Sequence, residues 1–190
     1  MSYSREARRC KRCRLHVERC LCRDVATHAV TTQLVLVPQI RDWQRPSNTA
    51  RLAWLMLDAE LALVGDRATP LEPASLLRPG MRHVVLHPAK DAPPLTPLED
   101  GRPVRLLVPD GSWRQSNRIA RRLVALPGVE RASITPQAGP ALRRRPTHDQ
   151  SCTAEAIAAA LEVLGDVAAA ASLRAALVLL VERTRASRGW

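Results

Sequence analysis

The chain has very few aromatic residues and no long apolar stretch. Phenylalanine is absent, and aromatic residues make up 3% of the 190 residues, so aliphatic side chains must build the core. No segment approaches the roughly 20 consecutive apolar residues of a membrane-spanning helix. The basic N-terminal segment is followed by cysteines instead of the apolar core of a signal peptide. The sequence therefore predicts a cytoplasmic protein without a membrane partner.

Several common catalytic motifs are missing as well. The chain contains no Gly-rich phosphate-binding loop, Walker motif, H-E-x-x-H or G-x-S-x-G sequence. These motifs supply phosphate cradles, zinc ligands with an adjacent base, and nucleophilic serines. Their absence removes the main support for a nucleotide hydrolase, a metalloprotease or an esterase.

Positive charge is present in excess. There are 29 basic and 18 acidic residues, which gives a formal net charge of +11, and only Lys11 and Lys90 are lysines. The planar guanidinium of arginine favours two-pronged hydrogen bonds to phosphate. This excess indicates a polyanionic partner such as nucleic acid, although the charge alone also fits a membrane surface.

Length and pattern predict one α/β domain with a mostly parallel sheet. A hydrophobic content of 46% is enough for a core. Short apolar runs alternate along the chain with segments that have helical periodicity. This alternation indicates strands with helices on both faces of the sheet. The predicted strands cover residues 33–37, 61–64, 83–86, 104–108 and 132–134. The predicted helices cover 48–58, 113–126 and 153–187, with a break near Gly165 and Asp166, and surface loops cover 66–80 and 88–103.

The N-terminal segment contains four cysteines in the pattern C-x2-C-x6-C-x-C, at Cys10, Cys13, Cys20 and Cys22. Such pairs can present four thiolates to one tetrahedral ion, and zinc is the natural occupant. Disulfides and reduced thiols without metal are the alternatives, and a cytosolic compartment disfavours disulfides. His16 or His28 could replace one ligand, because Cys20 and Cys22 are close together for a zinc knuckle. We therefore expect a structural zinc knuckle in residues 1–30 and an α/β domain in residues 31–190.

The segment V-P-D-G-S-W-R-Q-S-N, residues 108–117, joins a predicted strand to a predicted helix. Gly111 supplies a tight turn and Ser112 a helix N-cap, which leaves Asp110 at the carboxyl end of the strand. Ligands of open α/β sheets bind at that edge. In the simpler interpretation, Asp110 only caps the helix and Trp113 packs on its first turn.

Asp110, Gly111, Ser112 and Trp113 resemble the D-x-T-W signature of the DTW-domain proteins, with a serine in place of the usual threonine. Four further segments resemble the family in the same order, together with the N-terminal cysteines. They are R-D-W-Q-R-P-S-N-T-A-R-L at 41–52, V-L-H-P at 85–88, L-R-R-R-P at 142–146 and C-T-A-E-A at 152–156. The resemblance thus extends over nearly the whole chain.

Proteins of this family are tRNA-uridine aminocarboxypropyltransferases, related to transferases that act on ribosomal RNA and more distantly to knotted RNA methyltransferases. The resemblance implies a SPOUT-like knotted core, whereas periodicity alone favours an unknotted sheet. It also implies S-adenosylmethionine as the donor and tRNA as the partner. The uridine N3 attacks the carbon next to the sulfonium, methylthioadenosine leaves, and 3-(3-amino-3-carboxypropyl)uridine (acp3U) is formed.

This chemistry needs the N3 proton removed and the base aligned with the electrophilic carbon, tasks that suit a carboxylate and an aromatic wall. Asp110 and Trp113 are therefore the predicted catalytic residues. Asp110 acts either as a base or as a group that orients the uracil edge or the ammonium of the donor. Trp113 either stacks on a base or belongs to the core.

The V-L-H-P turn resembles the donor-binding loop of the family, with His87 where tyrosine is usual. We expect residues 86–88 to bind the donor largely through their backbone atoms. Alternatively, His87 is a polar residue whose hydrogen bonds are all made locally, or it acts as an acid or base. Cys152 stands where the family motif has a serine. The predicted donor-binding residues are Leu86, His87, Pro88, Gly111, Ser112, Thr153 and Glu155.

The predicted helix 113–126 carries an arginine stripe, because Arg114, Arg118, Arg121 and Arg122 share one face. The predicted RNA-binding residues are Arg45, Asn48, Thr49, Arg51, Arg114, Arg118, Arg121 and Arg143. The simpler alternatives are a solvated helix face for the stripe and helix capping for residues 45–51. Two other functions compete: an RNA methyltransferase of related fold, and a non-enzymatic zinc-knuckle protein that binds RNA.

Overall fold

The computed structural model describes residues 8–65, 70–89, 91–97, 101–135 and 151–186. Its strands are β1 (Gln33–Pro38), β2 (Glu60–Leu61), β3 (Arg82–Leu86), β4 (Val104–Asp110) and β5 (Val129–Ala132). Its helices are α1 (Ile40–Trp43), α2 (Ala50–Met56), α3 (Trp113–Val124), α4 (Thr153–Val163) and α5 (Val167–Ala186). The strands form one parallel sheet in the order β2-β1-β4-β3-β5. The predicted α/β class with a parallel sheet is confirmed.

Both faces of the sheet are covered by helices, as the sequence predicted. Leu34 and Leu36 of β1 belong to a buried cluster that includes residues of α2, α4 and α5. Val35 and Val37 point the other way, into a second cluster that contains Ile119 of α3. A strand that is buried on both faces needs apolar residues at every position, which explains the continuous run L-V-L-V.

The connections diverge at the centre of the sheet. β1 leads through α2 on one face to β2 on its outer side, whereas β4 leads through α3 on the opposite face to β5. Pro38, the last residue of β1, pairs with Asp110, the last residue of β4. Parallel sheets bind ligands outside the carboxyl ends of strands at such a topological switch point. The fold therefore places Asp110 where a ligand site is expected.

Element boundaries differ from the predicted ones by a few residues. β5 begins at Val129, three residues before the predicted start, because the register with β3 runs from His83–Val129 to Leu86–Ala132. The short helix α1 was not predicted, and the Gln39 side chain begins it by accepting the amide of Arg41 at 2.7 Å. Strand pairing determines where β5 begins, and a side-chain cap determines where α1 begins. Neither produces a periodic pattern in the sequence.

The predicted break in the C-terminal helical region is confirmed. Gly165 has φ +93°, a conformation that favours glycine, and it separates α4 from α5. Asp166 then accepts the backbone amides of Thr31 at 2.9 Å and Thr32 at 3.1 Å, which ties the helix junction to the start of β1. Among the described residues, no helix is long and apolar enough to cross a bilayer.

The segment between β5 and α4 includes residues 136–150, which lie outside the described residues. The L-R-R-R-P motif and Arg143 fall in this segment. The path of the chain from β5 to α4 also runs through it, so the knotted SPOUT-like core stays a prediction. The domain boundary at residue 30 likewise stays a prediction.

Candidate functional site

Asp110 is a buried carboxylate that is held by two side chains from distant parts of the chain. It is 7% exposed at the end of β4. The hydroxyl of Thr153 donates to its Oδ1 at 2.5 Å, and Nδ2 of Asn48 donates to its Oδ2 at 2.6 Å. A buried charge is tolerated when it is hydrogen-bonded in this way. The fold thus brings together three residues that the sequence had placed in three different roles.

The backbone around Asp110 is fixed by the neighbouring strand and by a glycine. The Asp110 carbonyl accepts the amide of Gln39 at 3.0 Å. Gly111 has φ +148°, and a Cβ there would lie 3.3 Å from the Cβ of Gln115. Glycine is therefore favoured by both conformation and space. The strand can end and the chain can turn into α3 within two residues.

Ser112, and not Asp110, is the N-cap of α3. The amide of Ser112 donates to Oε1 of Gln115 at 2.9 Å, and the Ser112 side chain completes a capping box. This arrangement confirms the predicted cap. The simpler interpretation of Asp110 as the helix cap is wrong.

Trp113 is a surface residue that is 59% exposed. It lies against the imidazole of His87, with ring centroids 5.2 Å apart and planes inclined by 33°. The alternative that Trp113 belongs to the core is therefore wrong. An exposed indole next to a buried carboxylate can stack on a purine or a pyrimidine.

His87 is 3% exposed and follows the end of β3. Its Nε2 lies 3.3 Å from the hydroxyl of Ser116. Burial, and then the charge of Arg131, lower the pKa of His87, which favours the neutral ring. The predicted donor-binding turn continues from buried Leu86 to exposed Pro88 at the sheet edge that carries Asp110.

The start of α4 is built to hold Thr153. The carboxylate of Glu155 accepts the amide of Cys152 at 2.7 Å, and the Cys152 sulfur accepts the amide of Glu155. Sulfur therefore takes the place of the hydroxyl in this capping box. Burial raises the pKa of Cys152 to about 11, so the thiol stays protonated near neutral pH. Glu155 is 5% exposed, and its position favours a structural role over contact with a donor.

Arg51 is not positioned to contact RNA, contrary to its predicted role. It is 4% exposed, its guanidinium lies 4.0 Å from the centre of the Trp43 ring, and it donates to the carbonyl of Trp43. It also donates to the carbonyl of Arg12 at 3.1 Å. Burial lowers the pKa of Arg51 to about 10. Its own amide donates to Oδ1 of Asn48 at 3.1 Å, so Arg51 supports the loop that carries Asn48.

The other predicted RNA-binding residues fall into two groups. Asn48 and Thr49 are buried, with Asn48 bound to Asp110 and Thr49 accepting the amide of Ala154 at 3.4 Å. The remaining described residues of the set are exposed: Arg45, Arg114, Arg118 and Arg121. The apolar side of α3, including Ile119 and Leu123, is buried, so the arginine stripe faces solvent as predicted.

The four cysteine sulfurs form a cluster of the size that zinc requires. All lie within 4.8 Å of one another, with Cys10 and Cys22 3.8 Å apart and Cys13 and Cys20 3.7 Å apart. Tetrahedral Zn–S bonds of about 2.3 Å place sulfurs about 3.8 Å from each other, whereas a disulfide needs about 2.05 Å. The thiols are free, and neither histidine belongs to the cluster among the described residues. The four cysteines can therefore hold a metal ion such as zinc.

The link between Asn48, Asp110 and Thr153 was not predicted from the sequence. The only signal was that helices were predicted to begin at residue 48 and at residue 153. The pairing became visible only with the fold.

The family model described as DTW domain matches residues 7–185. No solved structure matches the chain significantly. The match spans the cysteine cluster, the five strands and the buried Asp110. The chain belongs to the DTW-domain family, a family of tRNA-modifying transferases.

Proposed function

We propose that this protein transfers the 3-amino-3-carboxypropyl group of S-adenosylmethionine to N3 of a uridine in tRNA. The products are acp3U and methylthioadenosine. The observation that carries the proposal is the buried carboxylate of Asp110 at the topological switch point of the sheet, with an exposed indole three residues later. Membership of the DTW-domain family supplies the reaction class.

The residues around Asp110 fit a donor that has an aromatic base and an ammonium group. The exposed face of Trp113 offers a stacking surface, and the buried ring of His87 packs against that indole. The turns 86–88 and 111–112 border the same sheet edge. When bound, S-adenosylmethionine supplies an electrophilic carbon next to its sulfonium. Thr153 and Glu155 act in this proposal by placing Asp110 and the start of α4.

Asp110 orients the nucleophile and receives its proton. The N3–H of uracil donates to the carboxylate, which aligns N3 with the electrophilic carbon. The N3–C bond forms as the C–S bond breaks, and the electron pair of that bond stays on sulfur. Methylthioadenosine therefore leaves as a neutral molecule. Thr153 and Asn48 keep the carboxylate from rotating, since each holds one of its oxygens.

Phosphates of the tRNA bind the exposed arginines. Arg114, Arg118 and Arg121 lie on the helix that begins beside Asp110, and the chain as a whole carries a net charge of +11. We leave Arg51 out of this surface because it is buried. If six to ten phosphates are engaged, tRNA affinity falls by roughly 10³ to 10⁵ between 50 and 200 mM salt.

The test is to incubate the purified protein with S-adenosylmethionine and tRNA that lacks modifications, and then to weigh the digested nucleosides by mass spectrometry. We expect a uridine that is heavier by one aminocarboxypropyl group, with an equimolar amount of methylthioadenosine. A methylated nucleoside would instead assign the protein to the RNA methyltransferases. Unchanged RNA, together with donor-independent tRNA binding, would favour a non-enzymatic RNA-binding protein.

A further inference from the structure

A groove of about 710 Å³ lies between the cysteine-containing segment, the loop before α2 and the end of α5. We call it the basic groove. Among the described residues, four arginines line it, Arg8, Arg9, Arg19 and Arg183, and Glu18 is the one acidic residue that does so. None of these arginines belongs to the stripe on α3. The basic groove is therefore a second concentration of positive charge, on a different part of the surface.

The positive charge of the basic groove is only partly balanced within the protein. Glu18 lies 3.4 Å from Nδ1 of His16, and Arg183 pairs with Asp24 at 2.9 Å. Arg8 is exposed. Like charges that are held together repel one another, and a bound anion relieves this repulsion. The lining thus suits an anionic ligand with several negative charges.

The walls of the basic groove are tied together by hydrogen bonds. Arg183 of α5 donates to the carbonyl of Cys20 at 2.6 Å, and Arg9 donates to the carbonyl of Arg14 at 3.0 Å. Leu15 and Leu21 of the cysteine-containing segment are buried in the main core cluster. A metal bound to the four cysteines would fix this segment further. The arginines are consequently presented by a rigid surface, which lowers the entropy cost of binding.

The basic groove and the candidate functional site share one loop. Pro46 and Ser47 line it, and the next residue, Asn48, donates to Asp110. Consecutive Cα atoms are about 3.8 Å apart, so the backbone of this loop links the groove to the residue that holds Asp110.

We propose that the basic groove binds the phosphodiester backbone of tRNA. Arg8 and Arg19 contact the phosphates, and Arg19 also donates to the carbonyl of Arg183 at 3.5 Å, while Arg9 and Arg183 hold the walls of the groove. This inference rests on the proposed function because it takes tRNA as the polyanion. It adds a binding surface built from the cysteine-containing segment, apart from α3.

The test compares tRNA binding by the wild type and by the double variant Arg8→Gln/Arg19→Gln over a range of salt concentrations. Loss of two phosphate contacts should weaken binding about 10- to 100-fold near 0.1 M salt and reduce the slope of log K against log salt by about 2. The KM for tRNA should rise, while kcat at saturating tRNA stays unchanged, because neither residue contacts the reacting atoms.

Two matched variants serve as controls. Arg23→Gln/Arg185→Gln removes the same charge from exposed positions outside the groove, and it should keep the wild-type affinity and slope within about twofold. Arg8→Lys/Arg19→Lys keeps the charge, so it should retain most of the wild-type slope of log K against log salt. Circular dichroism and zinc content check that each variant is folded.

The outcomes separate the two proposals. If the wild type forms acp3U but Arg8→Gln/Arg19→Gln binds tRNA as the Arg23/Arg185 control does, the basic groove is refuted and the proposed function stands. If the double variant loses affinity and slope but the wild type forms no acp3U, the groove is supported and the proposed function is refuted. Absence of salt-dependent tRNA binding by the wild type would overturn both.

Discussion

The cysteine cluster and the Asp110 cluster are two polar centres that are built in opposite ways. The four cysteines lie within residues 10–22, and their sulfurs are within 4.8 Å of one another. The Asp110 cluster joins Asn48 and Thr153 to Asp110 across sequence separations of 62 and 43 residues, with hydrogen bonds of 2.6 and 2.5 Å. One centre is local in sequence, and the other exists only because a sheet and two helices meet.

This difference shows what holds each centre in place. The cysteine-rich segment buries only a few apolar side chains, Leu15 and Leu21 among them, so a bound metal would add substantially to its stability. The Asp110 cluster is held by a sheet and helices with apolar cores on both faces. Metal removal should therefore disturb the first centre more than the second. Substitutions in the Asp110 cluster should abolish activity and leave the cysteine cluster intact.

The largest expected effect follows from Asp110→Asn. The substitution keeps the size of the side chain but removes the charge that receives the N3 proton, so acp3U formation should fall by about 10² to 10⁴-fold. Initial rates by mass spectrometry measure this loss. The affinity for tRNA and the zinc content should match the wild type. Activity within threefold of the wild type would remove Asp110 from the mechanism.

Cys13→Ser tests the cysteine cluster. Cys13 is 2% exposed and supplies one of four sulfurs, so its loss should lower bound zinc from about one ion per chain to a small fraction and lower the thermal midpoint by about 5 °C or more. Plasma emission spectroscopy and calorimetry measure the two effects. Cys152→Ser is the control, since that thiol lies outside the cluster, and it should keep the metal. Equal zinc in both variants would contradict a four-cysteine site.

Asn48→Ala and Thr153→Val should each have a smaller effect on activity than Asp110→Asn. Each removes one hydrogen bond to a charged group, worth about 1.5–3 kcal/mol, which corresponds to a rate loss of roughly 10- to 150-fold. The matched control is Thr31→Val, which removes a threonine hydroxyl that donates to Asp166 at 3.0 Å, away from the site. We expect it to lower stability but not kcat. Equal loss of kcat in Thr31→Val and Thr153→Val would show that the effect is one of stability alone.

The smallest expected effect is a pH dependence from His87. Burial and Arg131 lower its pKa in the folded state, so below the ordinary value near 6.5 the unfolded chain binds a proton that the folded protein does not. Stability contributed by the neutral ring is thus lost as pH falls through 6.5, at no more than about 1.4 kcal/mol per pH unit for one proton. Urea unfolding of the wild type and of His87→Asn between pH 7.5 and 5.5 measures it. The variant should show the shallower slope, and parallel slopes would refute the assignment.

Local signals predicted most of the secondary structure. The run L-V-L-V of β1 is apolar at every position because both faces of the strand are covered, and the arginine stripe of α3 follows from helical periodicity. Ser112 was recognised as an N-cap from its position before a helical pattern. The start of β5 was misplaced because its register depends on β3, which lies more than 40 residues earlier in the chain.

The candidate site was predicted only in part. Asp110 and Trp113 were identified from adjacent residues at a strand end, and both lie at the expected sheet edge. Asn48 was assigned to RNA and Thr153 to the donor, because hydrogen bonds between distant segments leave no pattern along the chain. Arg51 was assigned to the surface because charge alone gives no sign of burial; its place over the Trp43 ring is a tertiary contact.

The sequence by itself determined the class of fold, the excess of positive charge and the four clustered cysteines. Each depends on composition or on short spacing, which the chain carries without folding. Only the tertiary structure decided that Asn48 and Thr153 hold Asp110, that Trp113 is exposed, that Arg51 is buried, and that four arginines line one groove. The physical reason is that these contacts join distant segments, and it is burial of the apolar faces of the sheet that brings those segments together.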